Sequence, residues 1–435
     1  MTSVEIGYAG IGALLFLVAL RFPIGVALIG VSTIGIMILA GPRAAWGALT
    51  IVPWNFTATW SLSSVPMFLL MGFISYHSGL TKGLFDAARA WLSHLPGGLA
   101  VASIFGASGF AAASGSSVAC AAAMGRIAVP EMIRNRYDPA FSTGVVAAAG
   151  TIGALIPPSI LLILYGIIAQ VPVGSLFLGG LCAGLLTALG YVATVMIRAK
   201  LKPSLAPVAD IEVSGREKLA VLLDIWPVLV LMGGIMGGLS LGIFTPTEAG
   251  GFGAMLALVI AVLKRSLSWD GFRRSLTETL QTTAALFIIA IGANMLTRFI
   301  AISGVGNDLS GFINALGVDP IFLLFGIALM YLVLGMFLDP IGSMLLTLPI
   351  VLPILREAGF DLLWFGIIMA KFLEIGMLTP PVGLNVFVIK SVVGNLVTVG
   401  AIFRGIVWFM VADLLLIVAL VIFPELILWL PNFMQ

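Results

Sequence analysis

The chain has 435 residues, of which 60% are apolar and 9% charged, with a formal net charge of +2. Its mean hydropathy is +1.18, whereas a soluble domain carries about 25% charged residues. A soluble fold is excluded, and so is nucleic-acid binding, because the few basic residues are scattered at helix ends and form no basic face.

Taken in chain order, apolar runs between polar breaks predict membrane spans near 5–20, 24–40, 65–78, 139–171, 174–197, 219–241, 246–263, 276–302, 362–390 and 401–424. The first run has no basic residue before it and no small-residue cleavage site after it. It therefore reads as a retained helix and not as a signal peptide. Cys120 and Cys182 both fall in apolar stretches and read as small packing residues.

Two further apolar regions are split by polar, turn-forming clusters, SGSS at 114–117 and DPIGS at 339–343. Each half is about 12 to 17 residues, long enough to reach mid-membrane and too short to cross. These regions are predicted to be re-entrant helical hairpins. Lys82, Arg89, Arg126, Arg134 and Arg136 flank the first. The loops that follow carry Arg198, Lys200, Lys202, Arg216 and Lys218, then Lys264, Arg265, Arg273 and Arg274. By the positive-inside rule those sides are cytoplasmic. The second hairpin is surrounded by Asp308, Asp319, Glu357 and Asp361 with Arg356 as its one base. It should enter from the external side, so that the two hairpins point at each other and both termini are external.

The hairpins lie in an internal repeat. Moving 115–138 onto 338–361, a shift of 223 residues, superposes Pro130 on Pro353 and Tyr137-Asp138 on Phe360-Asp361. The same shift places Pro157-Pro158 on Pro380-Pro381 without a gap. The predicted architecture is therefore an all-α polytopic membrane protein built from inverted five-span repeats, each with one hairpin and one proline-broken helix. The first repeat covers 1–198, with its hairpin at 97–136 and broken helix at 139–171. A cytoplasmic loop at 199–218 leads to the second repeat at 219–435, with hairpin 320–358 and broken helix 362–390.

A Pro-Pro pair removes two backbone donors and clashes with the preceding turn, so a helix breaks there and leaves carbonyls without partners. GTIGALIPPS at 150–159 and GMLTPPVGLN at 376–385 are two such breaks, each about 40 residues beyond a hairpin tip. Free carbonyls with Ser and Thr oxygens are hard ligands suited to Na⁺. Helix N-termini at the tips carry partial positive charge and bare amides, which suit a carboxylate. No HExxH or Walker loop is present, and GASG at 106–109, although it matches the GxSG motif of rhomboid-type proteases, is a chance match in a chain with 51 glycines. His77 and His94 are not placed mid-membrane to serve as a base. Enzymatic activity is not expected.

PMFLLMG from Pro66, LPGGLA from Leu95, SGSSVACAAAMGRIAVPEM from Ser114, GTIGALIPPSI from Gly150, FTPTEAGG from Phe244 and LTPPVGLNVFV from Leu378 together cover nearly the whole chain. In these segments it resembles the large membrane subunit of the TRAP (tripartite ATP-independent periplasmic) transporters. That resemblance implies an elevator-type fold of the ion-transporter kind in a bacterial inner membrane, carrying a small organic anion with Na⁺ as coupling ion and no other cofactor. It also implies two partners, a small four-helix membrane subunit on a separate chain and a periplasmic substrate-binding protein. The alternative is a stand-alone Na⁺/carboxylate symporter or exchanger of the same general fold.

Carried over position by position, the family's sodium regions fall in the first half on Ser114, Gly115, Ser116, Ser117, Gly153, Ile156 and Pro157. In the second half they fall on Gly335, Asp339, Gly376, Thr379 and Val382. Arg126, Pro158, Pro380 and Asn385 are the candidates for substrate contact. Asp339 followed by Pro340 also reads as a helix cap, and Glu248 as the cap of the helix after it. Lys371 and Glu374, three residues apart in an apolar span, read first as an intrahelical ion pair facing the interior.

The charge asymmetry sets the orientation test. Ser204→Cys and Asn432→Cys should label with an impermeant thiol reagent from opposite sides of the membrane, Ser204→Cys from the cytoplasm. Labelling of both from one side would overturn the inverted arrangement.

Overall fold

The computed structural model describes residues 1–207, 215–315 and 319–434. Within the predicted central loop, 208–214 therefore lie outside the described residues. Every described secondary-structure element is a helix. Among the described residues, seven helices are long and apolar enough to cross a bilayer, or eight if Pro42–Thr57 and Trp60–His77, bent by 60°, form one span. The chain is a polytopic helical membrane protein.

Helix starts follow the local sequence. Thr2 with Glu5 and Thr245 with Glu248 form reciprocal capping boxes, so Glu248 caps as its sequence suggests. Asp138 accepts from Phe141 N and Asp361 from Trp364 N, each at 2.8 Å. These two caps are 223 positions apart, the same shift that superposes the prolines.

The first hairpin is Gly98–Ser114 and Ser117–Arg134, and the second is Pro320–Phe337 and Pro340–Glu357. Three of the four arms, at 18 residues each, slightly exceed the expected length, because helix resumes immediately after each tip and Pro130, Pro349 and Pro353 are accommodated inside it. The second hairpin's two arms are 18 residues each, about 27 Å at 1.5 Å per residue, and so have nearly the length of a span. For the second hairpin the expectation of arms too short to cross is corrected, whereas in the first Gly98–Ser114 keeps the expected length of 17 residues. A helix at Pro42–Thr57 was also not anticipated, since Thr50, Pro53 and Asn55 interrupt its apolar run.

After each hairpin comes a helix in two pieces. The first is Pro139–Thr151, a short 3₁₀ turn at Ile152–Ala154, and Ile160–Ala169. The second is Leu362–Gly376 and Leu384–Val393. The two interleave. Ile160–Ala169 packs on Leu362–Gly376 and on the second hairpin, while Leu384–Val393 packs on Pro139–Thr151 and on the first hairpin. Tyr165 OH donates to Leu362 O at 2.6 Å, and the Tyr165 ring closes on Gly366. Around this unit, Ile24–Ala40 packs along Trp269–Ser303, and Ser64–His77 packs against both Trp269–Ser303 and Pro246–Leu263.

Lipid tails are as apolar as leucine, so helix association in a bilayer depends on close fit more than on a hydrophobic driving force. The contact between Pro139–Thr151 and Val399–Ile422 shows this. A methyl group on Gly405 would collide with Ala140 O, and one on Gly144 with the Gly405 backbone. Gly405→Ala should therefore lower stability by roughly 1–3 kcal/mol through overpacking. Gly400→Ala, on the same helix with open space around it, should leave the thermal unfolding midpoint of the purified protein unchanged or slightly raised. Equal midpoints for the two variants would refute the close-contact account.

Candidate functional site

Both hairpin tips open onto one cavity of about 390 Å³. Ser114–Ala119 and Asp339–Ile341 form two of its walls, and Ala154, Ile160, Leu161, Glu374 and Met377 from the broken helices form its floor. The facing wall comes from Ser64–His77, through Leu69, Phe73 and Tyr76, and from Trp269–Ser303, through Glu278, Thr282 and Leu286. The arms Ser117–Arg134 and Pro340–Glu357 begin on the two tip walls, so their first-turn amides and positive dipole ends are at the cavity.

The first tip requires glycine at one position. Gly115 has φ +62°, a left-handed conformation, and a Cβ there would also strike Pro158 O. Ser116 is extended and its hydroxyl accepts from Ala119 N at 3.4 Å. Ser117 Oγ donates to Glu374 Oε1 at 2.7 Å, which links the first tip to the second broken helix. At the second tip Asp339 Oδ2 accepts from Gly342 N at 2.8 Å, with Pro340 as the first helical residue. Asp339 is thus a cap, and it stands on the cavity wall.

The tips are backed by the helix breaks. A Cβ on Gly153 would lie 2.9 Å from Ser117 N, so the first break touches the first tip backbone to backbone. Gly335 and Gly376 approach in the same way, with a Cβ on Gly376 lying 2.7 Å from Gly335 Cα. The Pro157-Pro158 and Pro380-Pro381 peptides are both cis. The first pair is buried and the second exposed.

Of the residues singled out from the sequence, Ser114, Gly115, Ser116, Ser117, Gly153 and Pro158 are thus brought together, as are Gly335 and Gly376. Pro157 is buried, and Ile156 turns its side chain to Gly184. Thr379 Oγ1 donates to Ile375 O at 2.7 Å, and Val382 is half-buried beyond the exposed prolines. None of the four substrate candidates lines the cavity. Arg126 is exposed on the outer side of its arm, and Pro380 is exposed. Pro158 backs onto Gly115, and Asn385 Nδ2 donates to Ala147 O at 3.4 Å. Ser108 of GASG is an ordinary helical serine whose hydroxyl donates to Ile104 O at 2.9 Å.

The family model described as the tripartite ATP-independent periplasmic transporter, DctM component, matches residues 11–426. The chain belongs to the TRAP transporter large permease family. This permease is accordingly a multi-pass inner-membrane protein. It is 36% identical over 379 residues to the C4-dicarboxylate TRAP transporter large permease protein DctM of Pseudomonas aeruginosa, covering 86% of this chain and 87% of that one. It is 31% identical over 380 residues to the sialic acid TRAP transporter large permease protein SiaM of Vibrio cholerae, covering 87% of each. In fold it is similar to the Alcanivorax borkumensis YdaH transporter, with a TM-score of 0.64 at 14% identity over 90% of both chains.

One part of the permease's interior escaped sequence reasoning. Lys371 and Glu374 are both fully buried, but the intrahelical pair expected between them is replaced. Lys371 Nζ donates to Asp413 Oδ1 at 2.5 Å, and Tyr191 OH donates to Asp413 Oδ2 at 2.7 Å. Tyr191 OH also lies 3.1 Å from Thr151 Oγ1. A carboxylate from Val399–Ile422 takes the ammonium instead, and its second oxygen is satisfied by the phenol. The signal was present: Asp413 is the sole acidic residue in Val399–Ile422, and a mid-span acid requires a partner. Removing one member leaves the other charge buried and alone, so Asp413→Asn should cost roughly 3–5 kcal/mol. Lys371→Met combined with Asp413→Leu should recover most of that loss in the thermal unfolding of the purified permease. A double variant as unstable as the single one would show that the pair is not the cause.

Proposed function

We propose that the permease carries a small organic anion inward, driven by Na⁺, with the cavity between the two hairpin tips as the substrate site. The observation that carries this reading is the convergence of both tips and both broken helices on one cavity, facing two helices from outside that unit. The matching caps at Ser116 and Asp339 and at Asp138 and Asp361, each 223 residues apart, support an inverted repeat. The hairpins and broken helices then form the moving part of an elevator, with Ser64–His77 and Trp269–Ser303 on its stationary side.

Relatives are named for C4-dicarboxylate, sialic acid and isethionate transport. All are organic anions, and the substrate of this permease belongs to that class. The proposed Na⁺ ligands are the tip oxygens at Ser114–Ser117 and the carbonyls and hydroxyls around Gly153 and Thr379. Hydroxyls and carbonyls do not titrate near neutral pH, so they suit a metal ion better than a proton. When more Na⁺ charges than substrate charges move per cycle, the membrane potential contributes about 2.3 kcal/mol per net charge per 100 mV. The partners are a small membrane subunit and a periplasmic binding protein.

The test is uptake into proteoliposomes with both partners supplied. Accumulation should require an inward Na⁺ gradient and fall to background in choline. Thr379→Ala and Ser117→Ala should raise the half-saturating Na⁺ concentration several-fold without loss of folded protein. Uptake insensitive to Na⁺ that follows an imposed pH gradient would overturn the coupling. Full activity of the chain alone would favour a stand-alone symporter.

A further inference from the structure

The two ends of the cavity differ in the bonds they can offer. At the tips, Ala119 N and Gly342 N are taken by the caps of Ser116 and Asp339. That leaves the first-turn amides of Ser117, Val118 and Ile341 on the walls, and amides at a helix N-terminus suit a carboxylate. Two of the three carboxyl groups around the cavity are engaged at this end, Asp339 as a cap and Glu374 by Ser117 Oγ.

The facing wall is built otherwise. Its polar side chains are Tyr76, Glu278 and Thr282, and among the described residues no lysine, arginine or histidine lines any part of the cavity. Glu278, Thr282 and Leu286 are spaced four apart on Trp269–Ser303 and so share one face of that helix. Thr277, Thr279 and Thr297 of the same helix turn their hydroxyls back to the carbonyl one turn earlier, whereas Thr282 makes no such bond and lines the cavity. Glu278 Oε2 lies 3.0 Å from His77 Nε2, a contact that fixes the carboxylate at the wall. The hydroxyls of Tyr76 and Thr282 can donate or accept, but an ionised carboxylate only accepts. Glu278 therefore decides what this end takes. A substrate carboxylate set against it meets a like charge with no basic side chain on the wall to offset it, an arrangement that discriminates strongly. A hydroxyl or an ammonium group set there finds an acceptor.

We propose that the substrate is an organic monoanion whose end opposite the carboxylate carries hydrogen-bond donors, which bond to Glu278 and Thr282, and that Glu278 selects against a second carboxylate. This inference rests on the anion-carrying reading above and narrows its substrate class away from C4-dicarboxylates.

Four ligands of four carbons test it, because they share one carboxylate and differ at the far carbon: 4-hydroxybutyrate, 4-aminobutyrate, succinate and butyrate. The thermal unfolding midpoint of the purified full-length permease is followed against each at neutral pH, with Na⁺ and ionic strength held constant. A ligand of the folded state raises the midpoint by mass action. The concentration for half the rise should be at least about tenfold lower for the better donor-ended ligand than for succinate, the scale of one hydrogen bond to a charged group. Tighter binding of 4-aminobutyrate than of 4-hydroxybutyrate assigns an ammonium to the substrate, and the reverse order a hydroxyl. In Glu278→Gln, succinate should bind more tightly and 4-aminobutyrate more weakly, opposite shifts that a general loss of structure does not produce. Thr282→Val should weaken 4-hydroxybutyrate without changing butyrate, and serves alone if Glu278→Gln does not fold. Succinate binding to the wild type as tightly as the donor-ended ligands, or an unchanged ranking in Glu278→Gln, overturns this inference and leaves the anion-carrying reading in place. A midpoint that moves with none of the four removes the cavity as an anion site, and both readings fall together.

Discussion

The architecture depends on the requirement that backbone amides and carbonyls find partners where no water is available. Two helices break mid-course and two hairpins turn back, and each event frees polar backbone. The structure resolves this by setting these places against each other. Gly115 lies on Pro158 O, Gly153 on the Ser116-Ser117 peptide, and Gly335 on Gly376. Side chains are excluded from these contacts because the space is already backbone, which is why glycine recurs there.

The same requirement makes the site polar without making it basic. Dipole ends, hydroxyls and carbonyls gather at the tips, while the carboxyl side chains of Glu278, Asp339 and Glu374 also line the cavity. On the function proposed above, such a surface would hold an anion through dipoles and hydroxyls and not through a basic side chain.

Much of this was legible in the sequence because it rests on local rules. Asp138, Asp361 and Asp339 each precede an apolar helix and each caps it; the proline pairs mark the breaks; and a constant shift relates the halves. The missing parts depend on distance in space. Nothing local shows that Lys371 reaches Asp413 when Glu374 is one turn away, or that Glu278 and Thr282, which belong to no motif, form the far wall of the cavity. Arg126 was attractive by spacing along the arm, but the arm's rotation turns it outward, and rotation is set by the packing of Gly125 on Ile389 and Val392. The longer hairpin arms follow from prolines that helices tolerate when neighbours fill the gap.

The Lys371–Asp413–Tyr191–Thr151 chain joins segments from both halves of the polypeptide: Pro139–Thr151, Val173–Leu201, Leu362–Gly376 and Val399–Ile422. A displacement that parted any two of them would strand a charge or a phenol in an apolar interior. These four segments are consequently tied to one another at one point. If the site moves as proposed, its hinge belongs outside these four segments, in the connections that lead out to the flanking helices.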